Sequence, residues 1–113
     1  MITINVKDIS QYAMFEQDGI KLREAILKAL QHEEMVILDF EGVDFFTTMY
    51  FNASIGWLVL TKGPSYVAEK IKTNNISELG QLTWKHSFEN ATRIGENEDY
   101  KEAVRCFNEN EGE

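Results

Sequence analysis

The residues with the clearest chemical potential lie close together, near the middle of the chain. Three carboxylates, Asp39, Glu41 and Asp44, follow an apolar run, and two hydroxyls, Thr47 and Thr48, precede an apolar pattern of helical period. Carboxylates at the carboxyl end of a parallel strand can bind hard cations or ligands. Hydroxyls at a helix start can cap unpaired amides or accept a phosphoryl group, whose charge that helix end tolerates. A solvated acidic loop and simple N-capping are the plainer interpretations of the same residues.

Other signatures of catalysis are missing from the sequence. Its seven glycines form no GxGxxG or GxxxxGK pattern, and no serine stands in a GxSxG frame. The single cysteine, Cys106, excludes an internal disulfide, and His32 and His86 have no metal-ligand spacing around them. We therefore predict no enzyme activity, no cofactor and no metal.

The charge balance bears on the partners. The chain of 113 residues has 11 basic and 19 acidic residues and a net charge of −8. An acidic surface gains nothing from counterion release, which argues against nucleic acid and anionic membranes as partners. No signal peptide is apparent, and the longest apolar stretch, residues 50–60, is too short to cross a bilayer. We expect a cytoplasmic protein with one domain over residues 1–107 and a disordered acidic tail over residues 108–113.

The apolar periodicity predicts the strands and helices that position these carboxylates and hydroxyls. In the first half we expect a strand at 2–6, an added edge strand within 9–16, a helix at 19–31 capped by Asp18, a strand at 35–40 covered on both faces, and a turn at 41–44. In the second half we expect a helix from 47 to 62, a helical turn at 64–68, a strand at 69–73, a helix capped by Ser77, and a last helix carrying Tyr100, Ala103, Val104 and Phe107. Alternation of strands and helices is typical of an α/β domain with a small, mixed or mostly parallel sheet.

The second long helix is apolar on two sides. Besides the stripe that begins at Phe51, it carries Tyr50 and Trp57, seven residues apart. Such a helix is either sandwiched, here against Tyr100 and Phe107 of the last helix, or offers a face to a partner. We assign Asp44, Tyr50 and Trp57 to a candidate partner surface. A homodimer built on the same face is a further alternative.

Three segments carry a resemblance to a known family. They are Asp18-Gly19 with Leu22-Arg23, the run VILDFEGV at 36–43, and the run FNASIGWL at 51–58. Together they resemble the STAS-like domain family DUF4325. The resemblance covers about residues 1–95, and its most specific part lies between residues 38 and 58.

The resemblance implies a fold like that of the anti-sigma-factor antagonist domains, a small sheet with helices mainly on one side. Such domains bind partners and do not catalyse; a GHKL-type kinase/ATPase phosphorylates a Ser or Thr at the start of the helix after the central strand. Where the family pattern has Ser-Phe, this chain has Met49-Tyr50, which leaves Thr47 and Thr48 as the candidate phosphoacceptors. We therefore expect a non-enzymatic regulatory module that contacts such a protein partner.

Two further expectations concern the acidic group. The carboxylates of Asp39, Glu41 and Asp44 are expected to oppose an added phosphate, so that phosphorylation acts as a repulsive off-switch. The alternative function is a small ligand- or metal-binding domain, or an enzyme, that uses these same carboxylates at the end of the central strand.

Overall fold

The apolar periodicity is realised as an alternation of short strands and helices. The computed structural model describes residues 1–97, 99–103 and 105. In chain order its elements are β1 (Ile2–Asn5), a 3-10 turn (Val6–Asp8), β2 (Tyr12–Ala13), α1 (Glu16–Ala29), β3 (Val36–Asp39), β4 (Asp44–Phe46), α2 (Thr48–Phe51), a π-helical segment (Asn52–Gly56), α3 (Trp57–Lys62), α4 (Pro64–Lys70), β5 (Ile71–Asn74) and α5 (Glu78–Glu96).

The end of the chain bears on the predicted last helix. Residues 99–103 and 105 have helical backbone. Of the predicted apolar stripe, Val104 and Phe107 lie outside the described residues, as do Cys106 and the predicted acidic tail at 108–113. Within the described residues, no helix combines the length and the apolar character that a bilayer crossing requires.

All strand pairs are parallel. The main sheet has the order β1-β3-β5, with Ile2 opposite Val36 and Val36 opposite Ile71. A second, two-stranded sheet joins β2 to β4. Parallel neighbours need a crossover between them, and the helices supply these crossovers. The predicted α/β class with a mostly parallel sheet is confirmed.

Only one face of the main sheet is covered. Val36 and Leu38 of the central strand are fully buried on that face. On the opposite face Thr3 and Lys72 are exposed, and Ile37 between them is half-buried. The prediction that the central strand is covered on both faces is therefore wrong, because the helices pack mainly on one side. That one-sided packing is what the family resemblance implies.

The second long helix is one continuous unit with a wide turn in its middle. Helices α2 and α3 and the π-helical segment between them form this composite helix, residues 48–62, with helical backbone at each junction. The Trp57 amide reaches back five residues to the Asn52 carbonyl. The hydroxyl of Ser54 donates to the Tyr50 carbonyl at 3.0 Å, a back-bond of the kind that bends helices.

Close packing against α1 fixes the inner side of the composite helix. At Gly19 an added Cβ would lie 2.4 Å from the Tyr50 carbonyl oxygen, so only glycine permits this approach. The ring of Phe51 lies at the centre of an aromatic cluster, with ring centroids between 5.4 and 5.9 Å from its own. The members of that cluster are Phe40, Phe46, Tyr50 and Trp84.

Several boundaries differ from the sequence predictions. The helical turn predicted at 64–68 is α4, which continues to Lys70, so β5 begins at Ile71 rather than at residue 69. Helix α1 begins at Glu16, with Phe15 in the N-cap position and no side-chain cap, so the predicted Asp18 cap is wrong. The predicted turn at 41–44 runs into β4, which contains Asp44. The edge strand predicted within residues 9–16 is β2, but it pairs with β4 in the second sheet rather than with the main sheet. Strand β4 has three residues, too few to show a readable period in the sequence.

Candidate functional site

The start of the composite helix holds both candidate phosphoacceptors, in different environments. Thr47 is the N-cap: its Oγ1 accepts a hydrogen bond from the Tyr50 amide at 3.2 Å. The same hydroxyl donates to the Met14 carbonyl at 2.7 Å. Thr47 is half-buried, and its hydroxyl is engaged both as donor and as acceptor. Thr47 therefore joins the composite helix to the segment that leads into α1, and the predicted capping role is confirmed.

Thr48 is the first residue of α2 and is exposed. Its hydroxyl makes no hydrogen bond within residues 1–97, 99–103 and 105, while its carbonyl accepts a long bond of 3.5 Å from the Ser87 hydroxyl. Of the two threonines, Thr48 presents the accessible hydroxyl.

Tyr50 does not belong to any accessible surface. Its side chain is fully buried, and its hydroxyl shares a hydrogen bond of 3.2 Å with the Ser10 hydroxyl. Burial raises the pKa of Tyr50 to about 12, against the lowering effect of the Ser10 hydrogen bond, and the charge of Asp18 adds to the rise. The assignment of Tyr50 to a partner surface is wrong, because its side chain points into the core, where its hydroxyl meets that of Ser10.

Trp57 lines a depression of about 470 Å³ between α1 and the composite helix. The Arg23 guanidinium lies 4.3 Å from the centre of its ring, a cation–π distance. Arg23 also donates to the Ala53 carbonyl at 3.4 Å. Trp57 is half-buried. It is therefore a wall of this depression, with one part of its ring covered by Arg23.

Exposed apolar side chains surround the junction where β2 and β4 lead into α1 and α2. Tyr12, Phe15, Phe45 and Met49 are between 41% and 62% exposed. The Thr47 amide donates to the Ala13 carbonyl at 2.9 Å, which brings the two chain segments together. We call the exposed set the junction surface; its members are Tyr12, Phe15, Asp44, Phe45, Thr48 and Met49.

One member of the junction surface, Phe45, has a strained backbone. Phe45 has a φ of 58°, a left-handed conformation that is unusual for a bulky residue, and its ring stands 5.5 Å from that of Tyr12. Sequence reasoning missed Phe15, Phe45 and Met49, because apolar residues are expected in the core. Only Met49 gave a signal, since it falls outside the stripe that begins at Phe51.

The predicted acidic group is divided by the structure. Asp39 and Glu41 line a depression of about 500 Å³ at the carboxyl ends of β1 and β3, together with Lys7. Asp44 does not line it; this residue pairs with Tyr12 in the second sheet. The three carboxylates therefore do not form one site.

Asp39 has a structural task at the strand end. Its Oδ1 accepts hydrogen bonds from the Asn75 side-chain amide and from the Glu41 backbone amide, each at 3.0 Å. The Asn75 bond, followed by the Glu41 bond, holds the pKa of Asp39 below its ordinary value. Within the described ranges, no group of three or more His, Cys, Asp or Glu residues is arranged to hold a metal ion.

A third depression, of about 290 Å³, lies between Thr48 and α5, and we call it the α5 depression. Its lining includes the Arg93 guanidinium, the His86 imidazole and the Glu89 carboxylate. Asp39 and Glu41, which are expected from the sequence to lie beside a phosphate on Thr48, line the depression at the carboxyl ends of β1 and β3 instead. No sequence pattern indicates this grouping, because Thr48 and the α5 residues are far apart along the chain.

Comparison with known protein families gives a match over more than half of the chain. The family model described as a STAS-like domain of unknown function (DUF4325) matches residues 18–81. The chain belongs to this STAS-like family. No curated protein and no solved structure matches it significantly.

The STAS-like match covers the elements that carry the site. It runs from α1 into the first turn of α5, and so includes β3, β4, the composite helix and β5. Thr48, Met49 and Trp57 lie inside it. His86 and Arg93 of the α5 depression lie beyond its end at residue 81. The cationic side of the α5 depression is therefore a property of this chain that the family match does not include.

Proposed function

We propose that this STAS-like domain is a non-enzymatic regulatory module that acts through protein–protein contact at the junction surface. The observation that carries the proposal is the exposed hydroxyl of Thr48 beside exposed apolar side chains, Met49 among them. Large apolar side chains that cluster in solvent mark contact sites. A phosphate added to an exposed hydroxyl within such a cluster would change the contact directly.

The strained Phe45 supports the same proposal. A left-handed backbone at a bulky residue costs free energy, of order 1–3 kcal/mol. The folded chain bears this cost while leaving the ring 62% exposed. Strain of this kind clusters at binding sites, where it holds a side chain ready for its partner.

The proposed partner is a GHKL-type kinase/ATPase in the cytoplasm, where ATP is available. In the proposed reaction the Thr48 Oγ1 forms a bond to the γ-phosphorus of ATP, the bond from that phosphorus to the β–γ bridging oxygen breaks, ADP leaves, and the hydroxyl proton passes to solvent. Thr48 is the acceptor rather than Thr47, because the Thr47 hydroxyl is engaged in two hydrogen bonds.

A binding experiment tests the contact. Purified GHKL-type ATPases of the source organism are titrated with the wild-type domain, with Met49→Asp, and with the control Ile94→Asp. Ile94 is an exposed apolar residue in the last turn of α5. We expect at least a tenfold loss of affinity in Met49→Asp only. Equal affinity in all three proteins contradicts the junction surface, and a Met49-dependent rise of mass in sedimentation without ATPase assigns it to a second copy of the chain.

A labelling experiment tests the acceptor. The ATPase that binds is incubated with ATP labelled at its γ-phosphate and with wild type, Thr48→Val or Thr47→Val. We expect label in wild type and in Thr47→Val, and none in Thr48→Val. Label that persists in Thr48→Val, or its absence from wild type, removes the phosphoswitch and leaves a contact surface without it.

A further inference from the structure

We infer that a phosphate carried by Thr48 is bound within the same chain by His86 and Arg93 of α5. Phosphorylation then ties the start of the composite helix to α5, and the carboxylates of the strand end take no part. This inference rests on the proposed function, because it takes Thr48 as the phosphoacceptor.

The geometry of the α5 depression supports the inference first. Thr48 forms one wall, and α5 forms the other. The Ser87 hydroxyl reaches the Thr48 carbonyl at 3.5 Å, so α5 passes directly beside the acceptor residue. His86 and Arg93 are seven residues apart, about two helical turns, and therefore lie on the same side of α5. Both line the depression that Thr48 faces.

The charges in the depression support it next. The side chains of His86 and Arg93 make no hydrogen bond and no ion pair within the part of the chain that the structure describes. The opposing carboxylate, Glu89, is 4.0 Å from the Lys85 ammonium, which partly offsets its charge. Two side-chain amides, Asn52 and Asn90, add donors to the lining. In a chain of net charge −8, this lining is adapted to an anion.

Thr48 also lines the depression on the α1 side, which is the competing direction for a phosphate. The charged groups there are Glu16 and Arg23. Arg23 is already engaged, since it covers Trp57 at 4.3 Å and donates to the Ala53 carbonyl. The Glu16 carboxylate repels a phosphate. Among the described residues, the Arg93 guanidinium and the His86 imidazole on the α5 side have no hydrogen bond and no ion pair, so the phosphate is expected to bind on the α5 side.

The chemistry of Arg93 and His86 suits a phosphate monoester. A guanidinium binds two phosphate oxygens at once, and an imidazole N–H donates to the third. A phosphate adds about two negative charges at neutral pH, and the Arg93 guanidinium offsets part of that charge locally. The inference therefore reverses the sequence-based expectation of repulsion, because Asp39 and Glu41 line a separate depression at the strand ends.

Phosphorus NMR on the full chain tests this inference. Phosphothreonine is installed at position 48 during synthesis, so no kinase is needed, and the phosphate is titrated. Its second pKa, about 6 when unbound, should fall by about half a unit or more in the wild-type background. Arg93→Gln should restore the unbound value. The matched control Lys62→Gln removes one positive charge at the end of α3, outside the lining of the α5 depression, and it should leave the lowered phosphate pKa in place.

The histidines provide a second readout with a built-in control. The phosphate should shift the side-chain NMR signals of His86 and leave those of His32, beyond the end of α1, unchanged. Equal phosphate pKa values in the Arg93→Gln and parent phosphoproteins overturn the inference. So does a restoration by Arg23→Gln alone, which would place the phosphate on the α1 side.

The two proposals fail separately in these experiments. A normal phosphate pKa in the synthetic phosphoprotein, with the kinase still labelling Thr48, removes the intramolecular binding and keeps the phosphoswitch. A lowered phosphate pKa with no labelling by any GHKL-type ATPase removes the phosphoswitch, and shows that the α5 depression binds a phosphate that the proposed partner does not deliver.

Discussion

The inner and outer sides of the composite helix differ in burial and in hydrogen bonding. On the inner side Tyr50, Phe51 and Ser54 are fully buried, and their polar atoms are hydrogen-bonded. On the outer side Thr48 and Met49 are exposed, and the Thr48 hydroxyl has no partner among the described residues. Adjacent positions in one helical turn thus separate the buried core from the proposed contact surface. Changes on the inner side should unfold the domain, and changes on the outer side should leave it folded.

The largest expected effect comes from Phe51→Ala. Phe51 is fully buried at the centre of the aromatic cluster, so its loss removes burial and leaves a cavity. The free energy of unfolding should fall by about 3–5 kcal/mol. Met49→Ala, from the outer side, should change it by less than about 0.5 kcal/mol. Urea unfolding measures both, and similar losses of stability in the two variants would contradict the difference between the inner and outer sides.

On the inner side, alkaline pH should lower the free energy of unfolding through ionisation of Tyr50. The unfolded chain loses the phenol proton near the ordinary pKa of 10.0, while the folded chain keeps it up to about 12. The free energy of unfolding should therefore fall as pH rises through this window, by up to about 2–3 kcal/mol. The fall should vanish in Tyr50→Phe and persist in Tyr12→Phe, whose phenol is exposed. Unfolding curves between pH 9 and pH 12 in the three proteins decide the point.

Gly19→Ala tests the close approach of α1 to the inner side of the composite helix, and it should lower the free energy of unfolding. The added methyl group would lie 2.4 Å from the Tyr50 carbonyl oxygen and 3.0 Å from the Ala53 Cβ. We expect a loss of about 1–2 kcal/mol, since overpacking outweighs the gain in helix propensity. Gly95→Ala is the control, because its Cβ would meet only Leu60 at 3.8 Å. Thermal melting should show Gly95→Ala as stable as wild type or more so; a stabilised Gly19→Ala would contradict the close approach of α1.

The smallest expected effect separates the two threonines. Thr47→Ala removes the N-cap and should lower the free energy of unfolding by about 1 kcal/mol. Thr48→Ala removes a hydroxyl that bonds nothing in the described chain, and should change it by less than about 0.5 kcal/mol. Chemical denaturation at neutral pH resolves this difference. Equal losses would mean that Thr48 also has a structural task.

Local signals in the sequence predicted the local features well. The caps at Thr47 and Ser77 are confirmed, because a hydroxyl just before an apolar helical pattern has a short-range physical role. The parallel α/β class is confirmed for a similar reason, since it follows from the alternation of strand and helix patterns.

Features that depend on distant contacts were predicted poorly. The side of the composite helix that holds Tyr50 is covered by α1 at Gly19, and no periodicity reveals which of two apolar sides is covered. Asp44 was grouped with Asp39 by sequence distance, yet it pairs with Tyr12 in another sheet. The contact of Thr48 with α5 likewise depends on how two helices cross.

The all-parallel pairing has a consequence for how the chain reaches its fold. Ile2 pairs with Val36, and Val36 with Ile71, so each strand waits for a partner 34 or 35 residues away. No hairpin is available to start the main sheet early. Contacts of such sequence separation slow folding, since the loop must close before the pairing stabilises it. During synthesis the central strand would thus have only one neighbour until β5 has emerged, which makes the nascent chain open to edge-to-edge association in that interval.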